Sequence, residues 1–131
     1  MKQARNPETI HPPVGRYVHQ IEVSGEDRLL FISGQVGKDR DGVVPADPAA
    51  QLELALRNVV ANLEAAGFRP TDLVKVVTYV VGELDPAARR AVLERVLGDH
   101  VTTSTLLFIS ALAGPEYKIE IDAWAVRQGV A

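Results

Sequence analysis

The sequence predicts an α+β domain of the order β-β-α-β-α-β-β, with two helices on one face of a mixed β-sheet. Three observations favour this class. The chain has 131 residues, which is long enough to bury a substantial core. Short apolar runs of strand length alternate with two longer segments whose apolar residues recur at helical spacing. No internal repeat, low-complexity tract or linker divides the chain, so we expect one domain over residues 1–131.

The first elements are a polar arm and a pair of strands. The opening dozen residues are polar and contain proline, which is typical of an extended arm. RYVHQIEV (16–23) alternates like a strand, SGED (24–27) offers turn residues, and RLLFIS (28–33) is apolar enough for a buried strand. We expect these two strands to form an antiparallel hairpin.

Two helices are marked by the same N-terminal signal. Asp47 precedes Pro48 and Asp85 precedes Pro86, so each aspartate can cap a helix that begins with proline. Apolar residues then recur every three or four positions, and a glycine stands near the end of each segment. The first stripe is Leu52, Leu56, Val59, Leu63 and Ala66, ending at Gly67, and the second is Ala88, Val92 and Val96, ending at Gly98.

Three more strands are predicted at LVKVVTYVV (73–81), TLLFIS (105–110) and YKIEIDAWAV (117–126). Strands separated by a helix should pair in parallel through right-handed crossovers, and the last two strands should form a second hairpin. Two helices can cover only one face of the sheet. LLFI and LVKVV are nevertheless apolar at consecutive positions, so both of their faces should be dry. We therefore expect a homo-oligomer in which a second copy covers the other face.

Composition excludes several classes of function. The net charge of −3 and the absence of a Lys/Arg block argue against a nucleic-acid partner. The absence of cysteine excludes a disulfide framework and a thiolate nucleophile, and the three histidines lack metal-ligand spacing. We expect no metal site. The N-terminus lacks a secretory h-region and no run is long enough to cross a bilayer, so we expect a cytoplasmic protein with no membrane partner.

Four hydroxyl residues, Thr102 to Thr105, stand directly before the apolar strand LLFI. Ser104 could act as a nucleophile with His100, four residues earlier, as its base. The sequence has no G-x-S-x-G elbow, however, and hydroxyls at the entrance of a strand usually bind local backbone. A structural or ligand-binding role for Ser104 is favoured.

The closing strand presents two carboxylates on one face. Period-2 alternation sends Glu120 and Asp122 to the same side, opposite Ile119, Ile121 and Ala123. Such a pair could hold a water or share a proton in general acid/base chemistry. The alternative, which the residues by themselves favour, is a solvated face on which Lys118 pairs with Glu120.

The glycines of SGQVG (33–37) also allow two interpretations. They could present backbone N–H groups to an anion such as a carboxylate. They could equally mark a bulge or turn at the end of a strand. The Walker spacing is absent, so a nucleotide site is not favoured.

Together these motifs resemble the RidA/YjgF superfamily of reactive-intermediate deaminases, over nearly the whole chain. The resemblance is carried by PPVGRYVHQIEV, LLFISGQVG, LRNVVANLEAAGFRPTDLVKVVTYV and KIEIDAWAV. It implies a homotrimer of chorismate-mutase-like subunits with ligand clefts between neighbouring subunits. It also implies hydrolysis of enamines and imines such as 2-aminoacrylate to a 2-oxo acid and ammonia, without a cofactor.

The resemblance also assigns roles to individual positions. Glu120 matches a glutamate that positions the attacking water, and the positions that match substrate-binding groups are Tyr17, Ser33 and Gly34. The family's carboxylate-binding arginine, in a P-A-R-S-like motif, is missing, and Ser104 stands in its place. A family asparagine on the second helix falls at Ala91. The resemblance thus implies a RidA-like hydrolase with an altered substrate or, alternatively, a non-catalytic trimer that binds a metabolite or another protein.

Overall fold

The computed structural model describes residues 1–13 and 16–129 of the chain. Its main sheet has four strands, and a separate two-stranded sheet is formed by the first two strands. The helices are α1 (Pro48–Ala65) and α2 (Pro86–Leu97), with a short 3-10 helix at Pro70–Asp72. The strands are β1 (Lys2–Arg5), β2 (Gln20–Val23), β3 (Arg28–Val36), β4 (Leu73–Val80), β5 (Thr103–Phe108) and β6 (Ile119–Arg127).

The strand order of the main sheet is β3-β6-β4-β5, with β6 antiparallel to both of its neighbours. The predicted parallel pairing is confirmed for β4 and β5, which α2 connects. Strands β3 and β4 also run in the same direction, but β6 lies between them. The fold class predicted from the sequence, two helices on a mixed sheet, is therefore confirmed.

Both predicted hairpins are wrong. Strand β2 pairs with β1, from within the polar arm, and β3 pairs with β6 instead. Strand β5 pairs with β4 and not with β6. The reason is the long connection at 109–118, which lets β6 pass its neighbour in sequence and enter the centre of the sheet. There both edges of β6 find partners for their backbone N–H and C=O groups.

The helix boundaries follow the predicted signals. The carboxylates of Asp47 and Asp85 each accept a hydrogen bond from the backbone N–H three residues later, at 3.0 and 3.3 Å. Gly67 and Gly98 follow the two helices with φ of +79° and +60°, a region that glycine enters without steric cost. The caps thus fix where α1 and α2 begin and end against the sheet.

The core lies between α1 and the inner face of the sheet. The apolar stripe of α1 and the inward side chains of β6 are almost fully buried there. Gln51 is buried among them because its side chain is fully paired. Its amide nitrogen donates to the carbonyl oxygens of Pro45 and Glu116 at 2.8 and 2.9 Å, and its oxygen accepts from the backbone N–H of Lys118 at 2.8 Å. Gln51 therefore ties α1 to the segment that leads into β6.

The opposite face of the sheet, which we call the open face, is not covered by a helix. Phe31 is 71% exposed and Leu29 is 59% exposed on this face. In the described ranges, no helix combines the length and the apolar character that crossing a membrane requires.

Candidate functional site

The two carboxylates of β6 lie on the open face, as alternation predicts. Ile119, Ile121 and Ala123 are buried on the helix side, which turns Glu120 and Asp122 to the opposite side. The alternative ion pair of Lys118 with Glu120 is not formed, since the Lys118 ammonium donates to the carbonyl oxygen of Pro115 at 3.4 Å. The carboxylate of Glu120 is thus left for other contacts.

A bulge in β3 makes room for the Glu120 carboxylate. The register between β3 and β6 shifts between Ile32 and Gln35, so the bulge interpretation of the SGQVG motif is confirmed. A Cβ atom built on Gly34 would lie 2.3 Å from Oε2 of Glu120 and 3.0 Å from Oδ1 of Asp122. The carboxylate therefore packs directly against the Cα of Gly34, in a space that any side chain at this position would fill.

Ser33 lies in the same bulge with its residue surface exposed. Its carbonyl oxygen accepts a hydrogen bond from the side-chain amide of Gln35 at 2.9 Å. The structure therefore brings three of the predicted residues, Ser33, Gly34 and Glu120, to one point of the open face.

Tyr79 of β4 completes this group, and sequence reasoning missed it. It lies opposite Glu120 in the β4/β6 register, and its hydroxyl donates to Oδ2 of Asp122 at 2.9 Å. This hydrogen bond, together with partial burial and the charges of Asp122 and Glu120, raises the pKa of Tyr79 above its ordinary value. The phenol thus keeps its proton and holds Asp122 beside Glu120. The available signal was the spacing on β4, since Val77 and Tyr79 alternate with buried Val76 and Thr78.

Ser104 does not join this group. It lies opposite Val76, a core residue, and faces a narrow space near Thr102 and Leu97 on the helix side of the sheet. The β5 positions that share the face of Glu120 are instead Thr103, Thr105 and Leu107, which pair with the outward residues of β4. Ser104 therefore does not lie on the face of Glu120, whereas its neighbour Thr105 does.

A cation lies beside Thr105 on the open face. The ammonium of Lys75 donates to Oγ1 of Thr105 at 2.8 Å. Thr105 on β5 pairs with Val77 on β4, which in turn pairs with Asp122 on β6. Through Thr105, Lys75 therefore lies two strands from Asp122, which is roughly 10 Å at the usual strand spacing. In the sequence, the single lysine within the apolar run LVKVV is the feature that could have indicated a functional cation here.

Tyr17 lies at the other edge of the sheet. The N–H of the next residue, Val18, donates to the carbonyl oxygen of Thr102 at 3.2 Å, which holds this segment at the start of β5. The Tyr17 ring contacts that of His19 edge-on, with centroids 5.4 Å apart. Because β5 and β3 are opposite edges, one subunit does not place Tyr17 beside Gly34.

The histidines have structural partners. Nε2 of His100 lies 3.0 Å from the carbonyl oxygen of Leu73, which commits this ring to the backbone of β4 and not to Ser104. His11 and His19 contact each other edge-on at 5.0 Å between ring centroids. Over residues 1–13 and 16–129, no three or more His, Asp or Glu side chains are grouped so that they could hold a metal ion.

Comparison with known proteins identifies relatives of this chain. Residues 8–127 match the family model described as endoribonuclease L-PSP. The chain is 35% identical to the 2-iminobutanoate/2-iminopropanoate deaminase of Escherichia coli over 118 residues, which cover 88% of this chain and 90% of the deaminase.

Solved structures give the same result. A protein of unknown function of the Rid family from Yersinia pestis, YyfB, superposes with a TM-score of 0.80 at 34% identity, covering 95% of this chain and 97% of that one. Escherichia coli TdcF with bound serine superposes with a TM-score of 0.70 at 29% identity, covering 88% and 91% of the two chains. The chain therefore belongs to the RidA/YjgF superfamily.

Proposed function

We propose that the protein hydrolyses small enamines or imines, without a cofactor, at the Glu120 carboxylate on the open face. The observation that carries this proposal is the packing of Glu120 against Gly34, where only a glycine leaves room for the carboxylate. The 35% identity to a 2-imino acid deaminase supports the reaction class. A carboxylate held at one point by the bulge of β3 is suited to orient a water molecule.

The chemistry needs one water and releases one ammonia. Protonation of 2-aminoacrylate at C3 gives the iminium form of 2-iminopropanoate. Glu120 accepts a proton from water as the oxygen attacks C2, which forms a carbinolamine. Glu120 passes that proton to the amino nitrogen and takes the hydroxyl proton as the C–N bond breaks and the C=O bond forms, so that pyruvate and ammonia leave and the proton used at C3 is recovered. The Tyr79 hydroxyl donates to Asp122 and holds this carboxylate beside the site.

The substrate differs from the usual 2-imino acids because the carboxylate-binding groups differ. Thr105 occupies the position on β5 that faces the Glu120 side, and Lys75 supplies the cation next to it. A lysine ammonium is a compact point charge, whereas an arginine presents a planar fork that matches a carboxylate with two hydrogen bonds. We therefore expect weaker or differently oriented binding of 2-imino acids than an arginine would give.

The proposal places the complete cleft between subunits of a cytoplasmic homotrimer. Phe31, Leu29 and Leu107 leave apolar area exposed on the open face, which a second copy would cover. A neighbouring subunit could also bring its Tyr17 to the Glu120 group, which one chain does not do. Catalytic Glu120 and substrate-binding Tyr17, Ser33 and Gly34 would then meet in one cleft.

A second candidate is a trimer that binds a metabolite or another protein and performs no hydrolysis. The absence of an arginine from β5 favours it, because losing a charge-assisted pair to a carboxylate costs roughly tenfold to a hundredfold in binding. Ribonuclease activity, which the description of the family model suggests, is disfavoured. The net charge of −3 and the carboxylates on the open face would repel a phosphate backbone.

The direct measurement is pyruvate release from 2-aminoacrylate generated by a serine dehydratase. Wild-type protein should accelerate release over the spontaneous rate, and Glu120→Gln should lower that acceleration by roughly 10²-fold or more. Glu116→Gln is the matched control, because Glu116 makes the same change of charge in the exposed loop before β6. No acceleration by the wild type would remove the deaminase proposal for this substrate. A gain of activity in Thr105→Arg would then favour a trimer that has lost the chemistry.

A further inference from the structure

A cavity of about 320 Å³ lies between α2 and the edge strand β5, on the helix side of the sheet. Glu120 lies on the opposite face, so this cavity is separate from the proposed hydrolytic site within one subunit. Its wall is apolar over one part and cationic over another, with no acidic residue in the lining. The apolar residues are Leu84, Pro86, Leu93, Leu106 and Phe108, and the cationic residues are Arg16, Arg89 and Arg90.

Arg89 carries a charge that the described part of the chain leaves uncompensated. Its Nε is buried and has no hydrogen-bond partner among the described residues, where the side chain also makes no ion pair. Burial lowers the pKa of the Arg89 guanidinium from its ordinary value, although an arginine stays protonated in proteins. Arg89 is partly buried, and removing part of a cation from water without a counterion costs free energy, so an anion that enters the cavity would recover some of it.

The other two arginines add positive charge at the mouth of the cavity. Arg16 donates to the carbonyl oxygens of Gly98 and His100, the second at 3.0 Å, and these neutral acceptors fix its position without cancelling its charge. Arg95 on the same helix, outside the cavity, is neutralised by Glu53 at 2.6 Å. The arginines of the cavity lining, in contrast, make no ion pair among the described residues.

We propose that this cavity binds a small organic carboxylate, with Arg89 as the main cation and the apolar wall around the hydrocarbon part. A guanidinium can grip a carboxylate through two parallel N–H···O bonds. The apolar lining favours a molecule with a hydrocarbon tail over inorganic phosphate, which would leave Leu93, Leu106 and Phe108 without a partner. The inference does not depend on the hydrolysis proposed for Glu120.

Isothermal titration calorimetry of the full chain with hexanoate tests this site, because hexanoate has no imine or keto group on which the hydrolytic chemistry could act. Hexanoate should bind, and its neutral counterpart hexanamide should bind at least about tenfold more weakly. Arg89→Met, which keeps an unbranched apolar stem and removes the charge, should weaken hexanoate binding by at least about tenfold. Arg40→Met is the matched control, since Arg40 lies in the exposed loop before α1 and outside the cavity lining.

Thermal unfolding gives a second readout for the same variants. Arg89→Met should fold and melt no lower than wild type, because it removes a partly buried charge that has no counterion among the described residues. Hexanoate should raise the melting temperature of the wild type and of Arg40→Met but not that of Arg89→Met.

Several outcomes would overturn the inference. These are no hexanoate binding at millimolar concentration, equal binding of hexanamide, equal or tighter binding of inorganic phosphate, or unchanged binding in Arg89→Met. Loss of hexanoate binding in Glu120→Gln would place the ligand on the open face instead, which would also contradict the assignment.

Discussion

The two faces of the main sheet differ in what covers them, although the same strands form both. On the helix side α1 packs against Ile119 and Ile121, which are at most 1% exposed. On the open side Phe31 is largely exposed, and Glu120 packs against a glycine. The difference teaches that side chains facing the helices specify the fold, whereas their neighbours in sequence, turned the other way, are available for binding, catalysis and assembly.

The largest expected effect concerns the covering of the open face. Phe31→Glu should dissociate the proposed trimer to monomers, because a buried and unpaired carboxylate at a subunit contact costs several kcal/mol. Sedimentation equilibrium measures the change in mass, and circular dichroism should report an intact fold. Val43→Glu is the control, since Val43 is also exposed but lies in the loop before α1. A trimer that survives Phe31→Glu would place the contact elsewhere.

Two glycine substitutions sharpen the contrast between the faces. A Cβ atom on Gly37 would lie 2.5 Å from the carbonyl oxygen of Gln51, in the backbone of α1, which cannot move aside. Gly37→Ala should therefore lower the free energy of unfolding by about 1–3 kcal/mol. Gly34→Ala meets only the ends of the Glu120 and Asp122 side chains and no backbone, so it should cost less than about 0.5 kcal/mol.

Activity should respond in the opposite order. Gly34→Ala displaces the Glu120 carboxylate and should reduce hydrolysis by roughly 10²-fold, whereas the folded fraction of Gly37→Ala should keep its turnover. Urea unfolding and the coupled pyruvate assay measure the two quantities. Equal loss of stability in both variants would contradict the division between the faces.

The smallest effect is expected at Tyr79. Tyr79→Phe removes the hydrogen bond to Asp122 and should lower the free energy of unfolding by about 1 kcal/mol or less near neutral pH, because the pair is only partly buried. The folded-state pKa of Tyr79 is raised, so this stabilisation is complete below the ordinary tyrosine pKa of about 10 and is lost as the pH rises through the folded value. The free energies of unfolding of wild type and Tyr79→Phe should therefore differ most at pH 7, and this difference should shrink as the pH is raised into the alkaline range. A constant difference would contradict the assigned hydrogen bond.

Local signals in the sequence predicted the parts of the fold that depend on neighbouring residues. Asp47 and Asp85 identified the helix starts because capping joins groups three residues apart. The alternation around Glu120 was confirmed because the period of a strand is fixed by its pleat. Family membership was also recognised from these segments.

Features that depend on distant pairing were not predicted correctly. The position of β6 between β3 and β4 results from contacts across the whole sheet, whereas a hairpin is only the shortest connection. Ser104 was expected among the ligand-binding residues but lies on the helix side, because counting residues across a loop does not determine which side of a strand a side chain takes, and a shift of one residue reverses it. The contacts of Tyr79 and Lys75 follow from the same long-range register.

The central position of β6 has a consequence for how the chain folds. This strand is synthesised after β3, β4 and β5, yet it joins β3 to β4 by pairing with both. Contacts between residues so distant in sequence form slowly, because the intervening chain must first lose its freedom. Until β6 enters, β3 has no partner in the main sheet and Glu120 has no glycine to pack against. The step that completes the sheet is therefore also the step that creates the candidate site, so a nascent chain would acquire a stable fold and the capacity for chemistry together.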